Sequence, residues 1–212
     1  EFPFGDLNYA AGNVPPSGVT MTRVERRVNS LGDPTAEFQR GFWHRGGDEL
    51  STHWAYTHNW TRWIVGRVAW ENRFDGIHEN ADIPELRTQT LVYYDGNHGD
   101  YYAPPVRGLV TRVSRGRGSL WAVENYTYDG QGNLTGITNP RGHTSTAGYD
   151  PVTLMVVSVV NPLGHTTAYA YYGVNVARPA GQPWGALASV TDPNQVQERY
   201  WYDVWGRVTA VV

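Results

Sequence analysis

The feature that most constrains this 212-residue chain is an internal repeat. One unit runs from Tyr126-Thr127-Tyr128-Asp129 through Leu134 to Asn139-Pro140-Arg141-Gly142-His143-Thr144. Tyr149-Asp150 follows Tyr128-Asp129 by 21 residues, and Asn161-Pro162-Leu163-Gly164-His165-Thr166 follows the Asn139 segment by 22. A third copy is displaced by 31 residues across an insertion: Tyr171 returns as Tyr202, Asn161-Pro162 as Asp192-Pro193, Val156 as Leu187 and Val159 as Val190. The last unit opens at Tyr200-Trp201-Tyr202-Asp203. Fainter echoes lie upstream. Tyr93-Tyr94-Asp95-Gly96, an insertion and Gly108-Leu109-Val110 match Tyr171-Tyr172-Gly173, an insertion and Gly185-Ala186-Leu187. Trp63-Ile64-Val65-Gly66-Arg67-Val68 echoes Trp205-Gly206-Arg207-Val208, and no copy is evident before about residue 55.

Each unit reads as two strands and two turns. The tyrosines of Tyr-x-Tyr-Asp sit at i and i+2, so both point to one face of a strand. Asp129-Gly130-Gln131-Gly132-Asn133 supplies a turn, because Asp bonds its own backbone two residues on and Gly accepts a left-handed φ. Leu134 to Thr138 reads as the second strand, and Asn139-Pro140-Arg141-Gly142 closes it, Pro presetting φ. Strand, turn, strand, turn predicts a continuing antiparallel meander. Two strands cannot bury a face alone, so the units must join one long sheet whose apolar face still needs cover.

Tyr128-Asp129, Tyr149-Asp150 and Tyr202-Asp203, alternating with Asn139-Pro140-x-Gly142, Asn161-Pro162-x-Gly164 and Asp192-Pro193, resemble the YD repeat of Rhs-type proteins. That family includes bacterial Rhs polymorphic toxins, the B and C components of insecticidal toxin complexes, wall-associated repeat proteins and the teneurin extracellular region. The match is clear from about residue 90 and reaches back to about residue 55. The resemblance implies an all-β fold, an antiparallel meander forming a strip of a curled or spiralling β-sheet shell. It implies a structural role in an exported bacterial protein, extracellular or at the cell surface, in some members enclosing a toxin domain. The division expected is an aromatic-rich β segment over 1–55 and the repeat sheet over 56–212. The chain starts at Glu1-Phe2 rather than Met and stops inside a unit at Val212, so we expect a piece of a longer polypeptide.

Composition narrows the partners. The formal charge is −3 with the signs interspersed, and no basic stripe offers counterion release to nucleic acid. No cysteine is present, which removes disulfides, thiol nucleophiles and Cys-based metal sites. No stretch approaches the ~20 apolar residues of a membrane span. G-x-S-x-G, H-E-x-x-H and phosphate-binding glycine loops are missing, so no catalytic residue and no cofactor is assigned. The expected partners are the rest of the parent polypeptide, further copies meeting at open sheet edges, and a glycan.

Two insertions, Asn97 to Arg107 and Val174 to Trp184, are the loops where function would sit on a rigid sheet. Asp95, His98 and Asp100 are candidate ligands for a divalent cation, against the plainer alternative of a turn-capping loop. Trp43, Trp54, Trp60, Trp63, Tyr101 and Tyr102 are candidate sugar-stacking rings for a surface or adhesive module. The competing expectation is burial: Trp54, Tyr56, His58 and Trp60 alternate along one strand face, and aromatics bury large areas. A hydrolase or metal-dependent enzyme and a self-assembling fibre are the remaining alternatives. His143 and His165 hold matching positions in neighbouring units, where solvent-facing polar residues are the simplest reading.

Overall fold

The computed structural model describes residues 22–42, 47–79 and 86–212, with Trp43 outside them. The chain forms β1 (Thr22–Val28), β2 (Pro34–Phe42), β3 (Leu50–Asn59), a 3-10 turn (Trp60–Arg62), β4 (Ile64–Asp75), β5 (Leu86–Tyr94), β6 (Val110–Arg117) and β7 (Leu120–Tyr128). It continues with β8 (Leu134–Thr138), β9 (Thr144–Tyr149), β10 (Val156–Val160), β11 (Thr166–Tyr171), β12 (Leu187–Thr191), β13 (Gln197–Tyr202) and β14 (Val208–Val211). The fourteen strands of the described residues pair in sequence order into one open, curled sheet, and their registers are antiparallel. The expected meander is therefore the fold, and β1–β3 belong to the same sheet.

One turn geometry recurs, and it explains both sequence markers. At Asn139 the backbone N–H bonds to the His143 carbonyl (2.9 Å), and Gly142 N–H returns to the Asn139 carbonyl (2.9 Å). Gly142 sits at φ 81, the left-handed position of a three-residue hairpin loop. The Asn139 side-chain oxygen accepts from the N–H groups of Arg141 (2.9 Å) and His143 (3.0 Å). Asp129, Asn161, Asp192 and Asp203 repeat the pattern with Gly132, Gly164, Gln195 and Gly206 at positive φ. Tyr128-Asp129 and Tyr202-Asp203 thus make the same Asx-opened turn as the Asn-Pro and Asp-Pro markers, on opposite rims of the sheet, while Asp150 opens a loop one residue longer that closes on Met155 with Leu154 at φ 59. Asn29-Ser30-Leu31-Gly32-Asp33 makes it as well, so the repeat's turn occurs well before residue 55.

The tyrosine has its own task. Tyr128 ends β7, and its hydroxyl donates to the Val110 carbonyl at the start of β6, at 2.8 Å. Tyr149 does this to Leu134 (2.8 Å), Tyr171 to Val156 (2.9 Å) and Tyr202 to Leu187 (3.0 Å). Register shifts fall at these strand ends, between Thr127 and Tyr128 and between Ala170 and Tyr171 for example. The acceptor carbonyls of Val110, Leu134, Val156 and Leu187 each sit at a register shift with the preceding strand, and the phenol of the following strand gives them a donor. Burial pushes the Tyr128, Tyr171 and Tyr202 phenols above their ordinary range. Replacing any one of these tyrosines by Phe is expected to cost about 1 kcal/mol in urea unfolding. The losses should add across well-separated repeats, since sites without shared partners act independently.

Side chains sort by face. Cross-strand partners place Tyr126, Ile137, Ala147, Val159, Tyr169, Val190, Tyr200 and Val211 on one side. Gly136, Thr146, Val160, Thr166, Ala168, Thr191 and Gln197 lie on the other. From Leu134 onward only Gly136, Tyr172, Ala188 and Ser189 are buried, so no second layer covers either face there.

Among the described residues, the most compact core lies across β2 to β4. Phe38 and Phe74 are fully buried, and the His53 ring stands edge-on between them at 5.7 and 5.6 Å. His53 Nε2 lies 2.8 Å from the His78 carbonyl, and the Ser51 hydroxyl donates to the Gly76 carbonyl at 2.9 Å. The segment after β4 therefore folds over this face. This corrects the expectation for Trp54, Tyr56, His58 and Trp60. The covered face of β3 is the alternate one, Ser51, His53 and Thr57, while Trp54, Tyr56 and His58 are half-buried. Small residues on β3 win burial because the phenylalanines of β2 and β4 fill the space above them. Trp60 leaves the strand altogether for the 3-10 turn.

Candidate functional site

The two insertions leave the same rim of the sheet, at equivalent places: Tyr94 and Tyr171 end the strands before them. Asp95 organises the first. Its Oδ2 accepts from the N–H groups of Val106 (2.6 Å), Arg107 (2.9 Å) and Gly108 (3.0 Å), and its Oδ1 from Leu109 (3.1 Å). Burial raises the Asp95 carboxyl, but these four backbone donors more than offset it, and its pKa lies below the usual carboxylate range. His98 Nε2 lies 3.2 Å from the Thr111 hydroxyl. Burial, and then the Arg112 charge, hold the His98 imidazole below its ordinary value. Asp100 accepts from the Tyr102 N–H at 2.8 Å. The three cation candidates therefore serve three separate local contacts. Among the described residues no three His, Asp or Glu side chains gather as a metal site.

The insertion then crosses back over β4 to β3. The Thr57 hydroxyl donates to the Tyr102 carbonyl (2.8 Å), the Asn59 amide donates to the Pro105 carbonyl (2.8 Å), and Pro105 is fully buried. Trp70 Nε1 donates to the Tyr102 hydroxyl at 2.6 Å. The Tyr101 and Tyr102 ring centroids are 4.9 Å apart, with Tyr93 6.1 Å from Tyr101. Between the root of this loop and β7 lies an open cleft of about 420 Å³, lined by Asp95, His98, Arg107, Thr111 and Tyr126 among others. Its carboxylate is taken up by four backbone amides, and its imidazole lies against the Thr111 hydroxyl.

The second insertion leans the opposite way, toward β13. Gln182 bonds both backbone groups of Tyr202, donating to the carbonyl (3.3 Å) and accepting from the N–H (3.0 Å). The Tyr172 hydroxyl donates to the Tyr200 carbonyl (2.9 Å), and Trp184 Nε1 to the Gly173 carbonyl (3.1 Å). Both insertions act as braces that tie non-adjacent strands. Thr57, Asn59 and Tyr172 take part without any sequence signal marking them.

The six ring candidates separate. Trp54 is half-buried, with Nε1 donating to Glu71 at 3.0 Å. Tyr101 and Tyr102 pack within the first insertion. Trp60 and Trp63 remain exposed together at the tip between β3 and β4. His143 and His165 are exposed at the opposite rim from the insertions.

Residues 106–144, which run from the end of the first insertion through β6 to β8 into the Asn139 turn, match the RHS Repeat family model. This stretch carries an RHS repeat. No curated protein matches it in sequence. Among solved structures, the RHS-repeat sheet resembles the crystal structure of TcdB2-TccC3 with a TM-score of 0.63 at 13% identity, over 87% of this chain and 13% of that one. It resembles TcdB2-TccC3-TEV with a TM-score of 0.64 at 13% identity, over 91% of this chain and 13% of that one. The Photorhabdus luminescens Tc holotoxin pore gives a TM-score of 0.63 at 13% identity, over 91% of this chain and 13% of that one. At such identities the likeness concerns the fold. The RHS-repeat chain spans only 13% of the length of these structures.

Proposed function

We propose that this chain is a strip of shell wall in an exported bacterial protein, and that its task is architectural. The observation that carries the reading is the single-layer sheet itself. Fourteen strands run in sequence order, and the face bearing Ile137, Val159 and Val211 is left without a covering layer. Ile137, Val159, Ala147 and Leu134 also line an apolar dimple of about 110 Å³ on that sheet. Exposed Ile137, Val159 and Val211 on one uncovered face are unfavourable in water, so that face meets further polypeptide, either more wall or an enclosed domain. β1 and β14 each have one strand neighbour among the described residues, which lets the same sheet continue at either edge.

The chain has no cysteine, so faces can be labelled singly. Val159→Cys and Thr146→Cys occupy opposite faces of neighbouring strands. In the 212-residue chain both thiols should react with a maleimide at similar rates. In a longer polypeptide that completes the wall, the Val159→Cys thiol should become strongly protected while Thr146→Cys stays reactive. Equal reactivity of both in that longer form would count against a wall with a covered apolar face.

A further inference from the structure

Trp63 holds the least expected conformation in the sheet. It closes the 3-10 turn at φ 54, ψ 32, the left-handed position where glycine is the favoured residue. Its side chain is 80% exposed. Backbone strain and solvent exposure of a large indole both oppose tryptophan here, and strain of this kind gathers where a side chain is used.

The rest of the tip is built around it. Asn59 accepts from the Arg62 N–H at 3.1 Å while its amide donates to Pro105, so the turn is fastened to the first insertion. His58 Nδ1 accepts from the Gly66 N–H at 3.0 Å, which fixes the imidazole. Trp60 stacks on that imidazole with centroids 5.2 Å apart and planes 28° from parallel, and it remains 56% exposed. Its outer ring face is therefore presented in one orientation. Between the two indoles stand Thr61 and Arg62, both exposed, and the Arg62 guanidinium makes no hydrogen bond or ion pair among the described residues.

We infer that Trp60, Thr61, Arg62 and Trp63 form a carbohydrate-binding site on the rim of the sheet. The axial C–H groups of a pyranose form an apolar face that packs against an indole, and its equatorial hydroxyls need donors and acceptors at the ring edge. A pinned indole, a second indole three residues on and, in the chain between them, a guanidinium with no hydrogen bond or ion pair among the described residues meet both needs. A protein contact of ordinary size needs roughly 800 Å² on each partner. This tip is a platform of four residues; beyond it the exposed Val65 lies on β4, and Leu31, Tyr102 and Val106 stand on separate connections.

The test titrates the 212-residue chain with cellohexaose, chitohexaose, xylohexaose and mannohexaose by calorimetry, with indole fluorescence as a second readout. At least one hexasaccharide should bind with a millimolar or tighter Kd. Trp60→Ala and Trp63→Ala should each weaken it by about tenfold, the loss of one stacked ring. Arg62→Gln should weaken it severalfold, and Trp205→Ala, an equally exposed indole elsewhere on the rim, should leave it unchanged. Trp63→Gly separates use from structure: relief of the left-handed strain should raise the melting temperature while binding falls. Absence of binding by all four sugars, or binding indifferent to Trp60→Ala and Trp63→Ala, overturns the proposal. So does self-association that those two substitutions abolish in the absence of sugar binding, which would assign the tip to a protein contact.

Discussion

Phe74→Ala should destabilise the amino-terminal part of the sheet by about 3–5 kcal/mol, the range for deleting a fully buried aromatic ring. Phe74 has no exposed surface, and it is one wall of the Phe38–His53–Phe74 stack. Removing it opens a cavity that β3 cannot collapse into, because Ser51 and His53 are held by Gly76 and His78. The later strands have no comparable core. Exchange of backbone amides in Phe74→Ala should therefore accelerate in β2 to β4 and stay near wild type from β8 onward. A uniform acceleration through β14 would mean that the sheet folds as one cooperative unit rather than from neighbour to neighbour.

Asp95→Ala should be the most damaging substitution outside that core, costing about 2–3 kcal/mol, since four backbone donors lose a charged acceptor. The insertion would detach first, exposing Pro105 and freeing Thr57 and Asn59. Proteolysis between 97 and 107 is the direct measurement. A cleavage rate equal to wild type would show that the brace is held by its docking contacts alone. Asp95→Asn should behave similarly, because an amide turns a donor toward N–H groups.

The same carboxylates set the acid limit of the fold. Asn133 with the turn amides lowers Asp129, Thr153 lowers Asp150, and the Arg207 N–H lowers Asp203, while the four donors lower Asp95. Each folded pKa lies below the unfolded one. Their contribution is complete above the ordinary carboxylate range and is lost as pH falls through the depressed folded values. The melting temperature should thus be flat near neutrality and fall below about pH 4, where unfolded aspartate begins to protonate. In Asp95→Ala that fall should be shallower.

Much of the repeat was legible in the sequence, because its turns are chemical. An Asx that accepts from its own loop and a residue at positive φ are both visible as letters, as at Asn139 with Gly142. The turn at Asn29 escaped notice because no tyrosine precedes it and Ser30 stands where the Asn-Pro marker has proline. Gln195 shows the other limit, a left-handed position filled without glycine. The pairing of alternating tyrosines on one face was readable from the period of a strand. The target of each hydroxyl was not, since Tyr149 reaches a carbonyl 15 residues back, beyond any local pattern. Burial on β3 was misread for a related reason. Aromatic alternation suggested the covered face, but cover comes from the segment after β4 and from the first insertion, whose contacts span 25 to 46 residues. The ring candidates likewise looked alike as sequence, and only the fold separates Trp54, bonded to Glu71, from Trp60 and Trp63 at the tip.

The most direct measurement of the central claim is a cryo-electron microscopy map of a longer polypeptide that carries this chain. The account predicts a shell in which β1 to β14 run as successive strands of one sheet, with the Ile137–Val159 face covered by further wall or by an enclosed domain. A map in which these strands fold back as two packed layers, or stand as an isolated sheet with that face in solvent, would contradict it.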